Sequence, residues 1–451
     1  MQIIIVGCGN VGATLTEQLS QEGHNITVID MDAQRAESVA NRFDVMGVVG
    51  NGASFNVQNE AGIEDADLLI AVTTSDELNL LCCLIARKTG GCNTVARVRN
   101  PIYNREIGYI KEELGLSMVI NPEYAAASEI ARLLKFPSAI KVDTFAKGRV
   151  ELLQCKISEG SVLSGQPLTY ISNGLHCDVL ICSVERGEEV YIPSGNFELQ
   201  EKDVITVVAS SKKANEFFRK IGMATNRIKS CMIVGGGETT YYLAKQLLPM
   251  GISIKIIEQN KERCNELSDL LPQAMIIHGD GTERNLLYEE GLVQAHSFVS
   301  WTSLDEENIM LSLFAQSVSK AKTITKVHRI DYDEIIDKLD LGSVLYPKHI
   351  TSEYILQYVR AMQNSIGSNV ETLYRLIDGK AEALEFRVRE RSELVGVPLK
   401  ELQLKENLLI ACINRRGTII TPGGQDMIEV GDTVVVVTTN KGFHDLRDIL
   451  K

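Results

Sequence analysis

Apolar residues along the chain follow two alternating rhythms. Short β-branched or aliphatic runs occur at Gln2 to Val6, Ile26 to Ile29, Met46 to Val49, Leu68 to Val72, Thr94 to Val98 and Met118 to Ile120. Between them apolar residues recur at helical spacing, as at Val11, Leu15 and Leu19. Six strands alternating with helices predict a parallel, doubly wound sheet with helices on both faces. From Ile140 to Ala209 the rhythm changes to short strands and turns: Glu151 to Ile157, Val179 to Val184, Glu189 to Ile192 and Val204 to Val208. This predicts a small α+β domain. Between the two regions, Glu123 to Lys135 carries Ala127, Ile130, Leu133 and Leu134 on one helical face and stops before Pro137. Such a helix packs on another subunit or domain, or else covers its own domain.

The first strand breaks on Gly7-Cys8-Gly9-Asn10-Val11-Gly12, and the second run ends on Asp30. Strand, glycine turn, helix, strand and acid in this register form the dinucleotide-binding βαβ unit. Gly7 permits the tight turn, Gly9 lets backbone N–H groups approach a pyrophosphate, and Gly12 lets the helix pack against the strand. The helix N-terminus offers its partial positive charge to the phosphates, and Asp30 can accept both hydroxyl hydrogens of an adenosine ribose.

The whole pattern occurs twice. Gly235, Gly237 and Glu258 repeat Gly7, Gly9 and Asp30, and Gly279-Asp280-Gly281-Thr282 repeats Gly50-Asn51-Gly52-Ala53. Thr302 repeats Thr73, Lys326 repeats Arg97, and Pro422-Gly423-Gly424 repeats Pro193-Ser194-Gly195. A duplication over 451 residues is a tandem pair, since solenoid periods are far shorter. The expected division is 1–123 and 229–348 for the sheet domains, 124–139 and 349–369 for crossover helices, and 140–222 and 370–451 for the small domains.

Three later stretches belong to the carboxyl edge of the first sheet, where ligands of such sheets bind. Gly50-Asn51-Gly52 either forms a left-handed turn or contacts the ligand. Thr73 and Thr74 present hydroxyls and backbone, with Ser75 or Asp76 capping the next helix. Arg97 can meet a phosphate or form a surface salt bridge.

Composition narrows the classes. Hydrophobic residues at 44% and charged residues at 23% are ordinary for a soluble globular protein. Met1 leads straight into a core strand, and no apolar run nears a membrane span, so the expectation is a soluble intracellular chain. A net charge of −13 disfavours nucleic acid. The ten cysteines show no metal-ligand spacing and are expected to be reduced, with no metal site. Cys8 inside the glycine turn is read as a small fitting residue, with oxidation sensing as the alternative.

Tandem glycine motifs, each with a terminal acid and a following β-rich domain, resemble the TrkA family, the cytoplasmic regulatory subunits of bacterial Trk potassium uptake systems. GNGAS, VTTSDE, ARVRN and GDGT carry the resemblance across the full length. It implies two tandem α/β repeats, each a Rossmann domain followed by a small α+β RCK_C domain. It also implies a non-enzymatic tetrameric gating ring at the inner face of the membrane, beneath a potassium-translocating partner of the TrkH/TrkG type. The implied ligands are NAD(H), with ATP or ADP as further ones. Carried over, the first site is Gly7, Cys8, Gly9, Asn10, Val11, Gly12, Asp30, Asn51, Gly52, Thr73, Thr74 and Arg97. The second is Gly235, Gly236, Gly237, Glu238, Thr239, Glu258, Asp280, Thr302 and Lys326.

The second motif departs at Thr240, which replaces the third glycine and is expected to push its helix off the strand or force repacking. Neither strand-end acid is replaced by a base, which disfavours a 2′-phosphate and hence NADP. An NAD-dependent oxidoreductase is the competing class, because the same βαβ unit serves hydride transfer. The small domains offer little for it: His176 lies in a turn-rich stretch with no acid–base cluster around it.

Overall fold

The computed structural model describes residues 1–145, 150–223, 228–328, 336, 339, 341–364, 370–376, 380–443 and 445–451. Parts of the expected small-domain and crossover segments, 146–149, 365–369 and 377–379, lie outside the described residues. The chain forms two compact units, one of residues 1–131 with 229–358, the other of 132–228 with 359–451.

The first unit holds two six-stranded parallel sheets. In the first, β1 (Gln2–Val6), β2 (Asn25–Asp30), β3 (Met46–Val49), β4 (Leu68–Ala71), β5 (Asn93–Arg97) and β6 (Met118–Ile120) lie in the order 3-2-1-4-5-6. Ile3, Ile4, Ile5 and Val6 are all buried, as helices on both faces require. Val6 pairs with Ile29 on one side and Ala71 on the other. The ends of β1, β2 and β4 are therefore level, and the glycine turn, Asp30 and Thr73 share one edge. The order reverses between β1 and β4, and that switch point opens the crevice.

The small domains pair in the second unit. Their strands are β7 (Lys141–Phe145), β8 (Val150–Lys156), β9 (Leu180–Arg186), β10 (Glu189–Tyr191) and β11 (Val204–Ala209), ordered 10-9-11-8-7. In the first unit, β12 (Ser230–Val234), β13 (Ser253–Glu258), β14 (Met275–His278), β15 (Ser297–Ser300), β16 (Lys322–Lys326) and β17 (Ser343–Leu345) repeat the first sheet as 14-13-12-15-16-17. The last sheet, in the second unit, orders β18 (Val370–Leu376), β19 (Ala381–Arg387), β20 (Leu408–Arg415), β21 (Thr418–Ile420) and β22 (Thr433–Thr438) as 18-19-22-20-21. One apolar cluster joins both small sheets: Phe145, Leu152, Cys182 and Val208 with Ala383, Cys412, Val435 and Val437.

Strand β7 is not among the expected strands. Its polar residues Lys141 and Asp143 hide a strand that forms because β8 offers an edge to pair with. Each small domain also encloses an ion pair absent from the expectations. Arg186 holds the buried Asp203 through two hydrogen bonds of 2.8 Å, and Arg415 holds the buried Asp432 in the same way.

The amphipathic helices span Pro122–Lys135 and Pro347–Asn364. Ala127, Ile130, Leu133 and Leu134 are all buried within this single chain. Their apolar face is thus covered by its own chain, and a second subunit is not needed to explain it. No helix among the described residues is long and apolar enough to cross a membrane.

Candidate functional site

The first glycine turn is built by close contacts. Gly7 has φ +103° and lies so near Val72 and Thr73 that a Cβ would meet the Thr73 nitrogen at 3.1 Å. A Cβ on Gly12 would lie 1.8 Å from the Gly7 carbonyl oxygen, so the helix Asn10–Gln21 comes this close to the turn because residue 12 is glycine. The Asp30 carboxylate ties the turn down. Its Oδ2 accepts from the Cys8 amide at 2.7 Å and its Oδ1 from the Asp32 amide at 2.9 Å. Cys8 is buried, and burial pushes its thiol up to about 12, which suits a fitting residue and not a reactive one.

The neighbouring strand ends are locked by residues the motif does not contain. Asn79 is fully buried; its Oδ1 accepts from the Thr73 amide at 2.8 Å, and its Nδ2 donates to the Arg97 carbonyl at 2.9 Å. Asn308 makes the same bonds to Thr302 and Lys326. Ser75 caps the helix Asp76–Thr89, whereas Asp76 reaches across to the Arg99 and Asn100 amides. Gly50 and Gly52 do not have positive φ, which removes the left-handed-turn reading. Gly52 is required because a Cβ there would meet Val6 at 2.2 Å; Gly281 stands in the same relation to Val234.

These elements open into a cavity of about 580 Å³ within the first unit. Gly7, Gly9, Asn10, Val11, Asp30, Gly52, Thr73, Thr74 and Arg97 line it. Of the predicted first set, Cys8, Gly12 and Asn51 do not: the first two pack inward, and Asn51 turns its side chain to the Ala53 amide. The opposite wall comes from the second sheet domain, with Thr239, Trp301, Lys326, His328 and Lys348. Lys326 donates to the Thr302 carbonyl at 2.9 Å and lies 5.8 Å from the Trp301 ring centroid.

Cations outnumber anions around this space: Arg35, Arg97, Lys326 and Lys348 against Asp30, Asp32 and Glu123. Arg97 stands 3.9 Å from Glu123, and neither Arg97 Nε nor Glu123 Oε2 has a hydrogen-bond partner. Burial lowers the Arg97 pKa and raises that of Glu123, while each charge opposes the other's shift. Burial likewise lowers Lys326 and His328. A desolvated, cation-rich space beside a helix N-terminus can take phosphate groups.

The second predicted set is not gathered in that cavity. Only Thr239 and Lys326 reach it; Gly235, Gly236, Gly237, Glu238, Glu258, Asp280 and Thr302 do not line it. Glu258 copies Asp30, accepting from the Gly236 amide at 2.6 Å and the Asn260 amide at 2.7 Å. Asp280 is turned to Thr282. Thr240 is accommodated: its hydroxyl donates to the Gly235 carbonyl at 2.6 Å, and Thr240 is buried.

The family model of the TrkA-N domain matches residues 3–122 and 231–347, and that of the TrkA-C domain matches 152–222 and 383–451. A Haemophilus influenzae protein named Trk system potassium uptake protein TrkA is 31% identical over 448 residues, covering 98% of this chain and 96% of its own length. An Archaeoglobus fulgidus TrkA homologue is 34% identical over 453 residues and is covered end to end. The chain belongs to the TrkA family. Among solved structures, the GsuK RCK domain aligns with a TM-score of 0.63 at 16% identity, over 97% of this chain and 92% of that one. The GsuK channel bound to NAD aligns at 0.62 and 16%, over 97% and 77%. These likenesses give the fold, which is that of two tandem TrkA-N/TrkA-C units.

In this TrkA-family chain, motif reading left out Asn79, Arg35, Trp301, His328 and Lys348. One signal was present for the first two: Asn79 and Arg35 recur as Asn308 and Arg263 in the second repeat. The other three belong to the first cavity only through tertiary packing.

Proposed function

We propose that this chain is the nucleotide-sensing regulatory subunit of a Trk-type potassium uptake system. In this reading NAD(H) binds the first TrkA-N domain, with ADP or ATP competing there. The observation that carries it is the cation-rich cavity, walled by the first glycine turn on one side and by the second TrkA-N domain on the other. A ligand touching both walls changes the free energy of their approach, which is what a regulatory signal requires. The role is binding without hydride transfer. The chain acts as a tetrameric ring at the cytoplasmic face of the membrane, on a potassium-translocating subunit of the TrkH/TrkG type. Family membership and the NAD-bound state of the GsuK neighbour support the reading.

Trp301 is the single tryptophan and lines the cavity, so it reports occupancy. NADH titration is expected to quench its emission and sensitise NADH fluorescence, while the NADH absorbance stays constant. A folded protein with no fluorescence response would refute the site. NADH consumed across a substrate panel would return the chain to the oxidoreductase class. For transport, potassium flux through the reconstituted complex should depend on added nucleotide.

Asp30→Ala is expected to weaken NADH binding by about 1–3 kcal/mol, the scale of a charge-assisted hydrogen-bond pair. Part of that loss comes from freeing the Cys8 and Asp32 amides, which Asp30 holds in place. Unchanged affinity by calorimetry would remove Asp30 from the site.

A further inference from the structure

The two glycine turns share a backbone but differ in their first helical residue. The helix Asn10–Gln21 has no acid in its first turn, and Asn10 faces the cavity. The helix Glu238–Leu247 begins with a carboxylate. Arg263 stands beside that carboxylate as a charge partner, without a hydrogen bond between them. Its guanidinium lies 3.2 Å from Glu238, donates through Nε to the Gly236 carbonyl at 2.7 Å, and bonds Glu266 at 2.7 Å. Arg35, the corresponding arginine of the first repeat, is exposed, pairs only loosely with Asp32 at 3.4 Å, and lines the cavity.

We infer that Glu238, paired in charge with Arg263, is the resident anion of the second glycine turn and excludes phosphate-bearing ligands from it. The helix N-terminus carries about half a positive charge, and a side-chain carboxylate placed there takes up the interaction a phosphate would make. The surroundings reinforce the exclusion. A hollow that Glu238 and Tyr241 line, without the glycines of the turn, also carries Asp76, Glu77, Glu123 and Glu266, with Arg99 as the cation among its lining residues. A phosphate approaching the start of this helix past Glu238 meets carboxylates, whereas the cavity at the first turn holds Arg35, Arg97, Lys326 and Lys348 beside Asp30, Asp32 and Glu123. The second TrkA-N domain thus serves as a wall of the first site, with one nucleotide per chain. This inference rests on the proposed nucleotide site of the first domain.

The test is NADH stoichiometry by calorimetry on the full chain. Wild type is expected to bind about one NADH per chain. Glu238→Asn with Glu266→Gln, which installs the first-repeat residue and frees the arginine, should raise this to about two. Wild type binding about two per chain would overturn the inference, as would a folded double variant that still binds about one. Arg263→Lys in the double variant separates charge from shape. Retained second-site binding supports a charge-based exclusion, and its loss would show that the guanidinium itself forms the site, against the inference. Wild type binding none would instead refute the proposed first site.

Discussion

Gly12→Val is expected to destabilise the chain by about 3 kcal/mol and weaken nucleotide binding by roughly a hundredfold. The cause is a collision with backbone, because a Cβ at this position would lie 1.8 Å from the Gly7 carbonyl oxygen. The β1 end is held in place, since the Gly7 amide is bonded to the Ile29 carbonyl at 2.8 Å. The helix must therefore move, carrying its N-terminal amides away from the phosphate position. Gly12→Thr should cost less stability than Gly12→Val. Both carry the same Cβ, but at Thr240 the second repeat shows that a hydroxyl there donates to the loop carbonyl and offsets part of the cost of repacking. Chemical denaturation and NADH titration of both variants check the order. A valine variant as stable as wild type would show that the turn repacks freely.

The second large effect is expected in the small domains. Arg186→Ala should destabilise the chain by about 3–5 kcal/mol, because it strands a carboxylate in the interior. Asp203 is only 1% exposed and accepts two hydrogen bonds from Arg186 together with one from the Gln200 amide. Arg186 also donates to the Glu198 carbonyl at 2.9 Å, so its removal loosens the loop before β11. Replacing both residues with apolar ones should recover part of the loss, since no charge is then left buried. Denaturant midpoints for single and double variants decide this. A single variant within about 0.5 kcal/mol of wild type would mean that water reaches Asp203.

The comparison of sequence with structure turns on the range of each interaction. The glycine motif, the strand-end acids and the duplication are local or repeated patterns. They placed β1 to β6, the shared edge of the first sheet and the tandem plan of sheet domain and small domain, because period and turn chemistry are written in adjacent positions. Cys8 and Gly12 belong to the motif by spacing, yet they pack inward behind the turn, and Asn51 holds its own loop through the Ala53 amide; none of the three faces the cavity.

Packing decided the rest. Strand β7 exists because β8 presents an edge, which the polar run Lys141–Phe145 does not announce. Leu133 and Leu134 are apolar in either reading, and only the fold shows that their own chain buries them. Gly52 reads as a turn residue until Val6 is seen against it. The second wall of the cavity, with Trp301, Lys326 and His328, comes from residues more than two hundred positions away from the first glycine turn. No pattern within either repeat encodes that meeting, since it depends on how two buried surfaces fit. What the sequence by itself determined is the βαβ unit, its duplication and the family. What the tertiary structure decided is which of two similar glycine turns lines a cavity with Arg35, Arg97, Lys326 and Lys348 and which starts its helix with Glu238 beside Arg263, because side-chain charge acts through space and not along the chain.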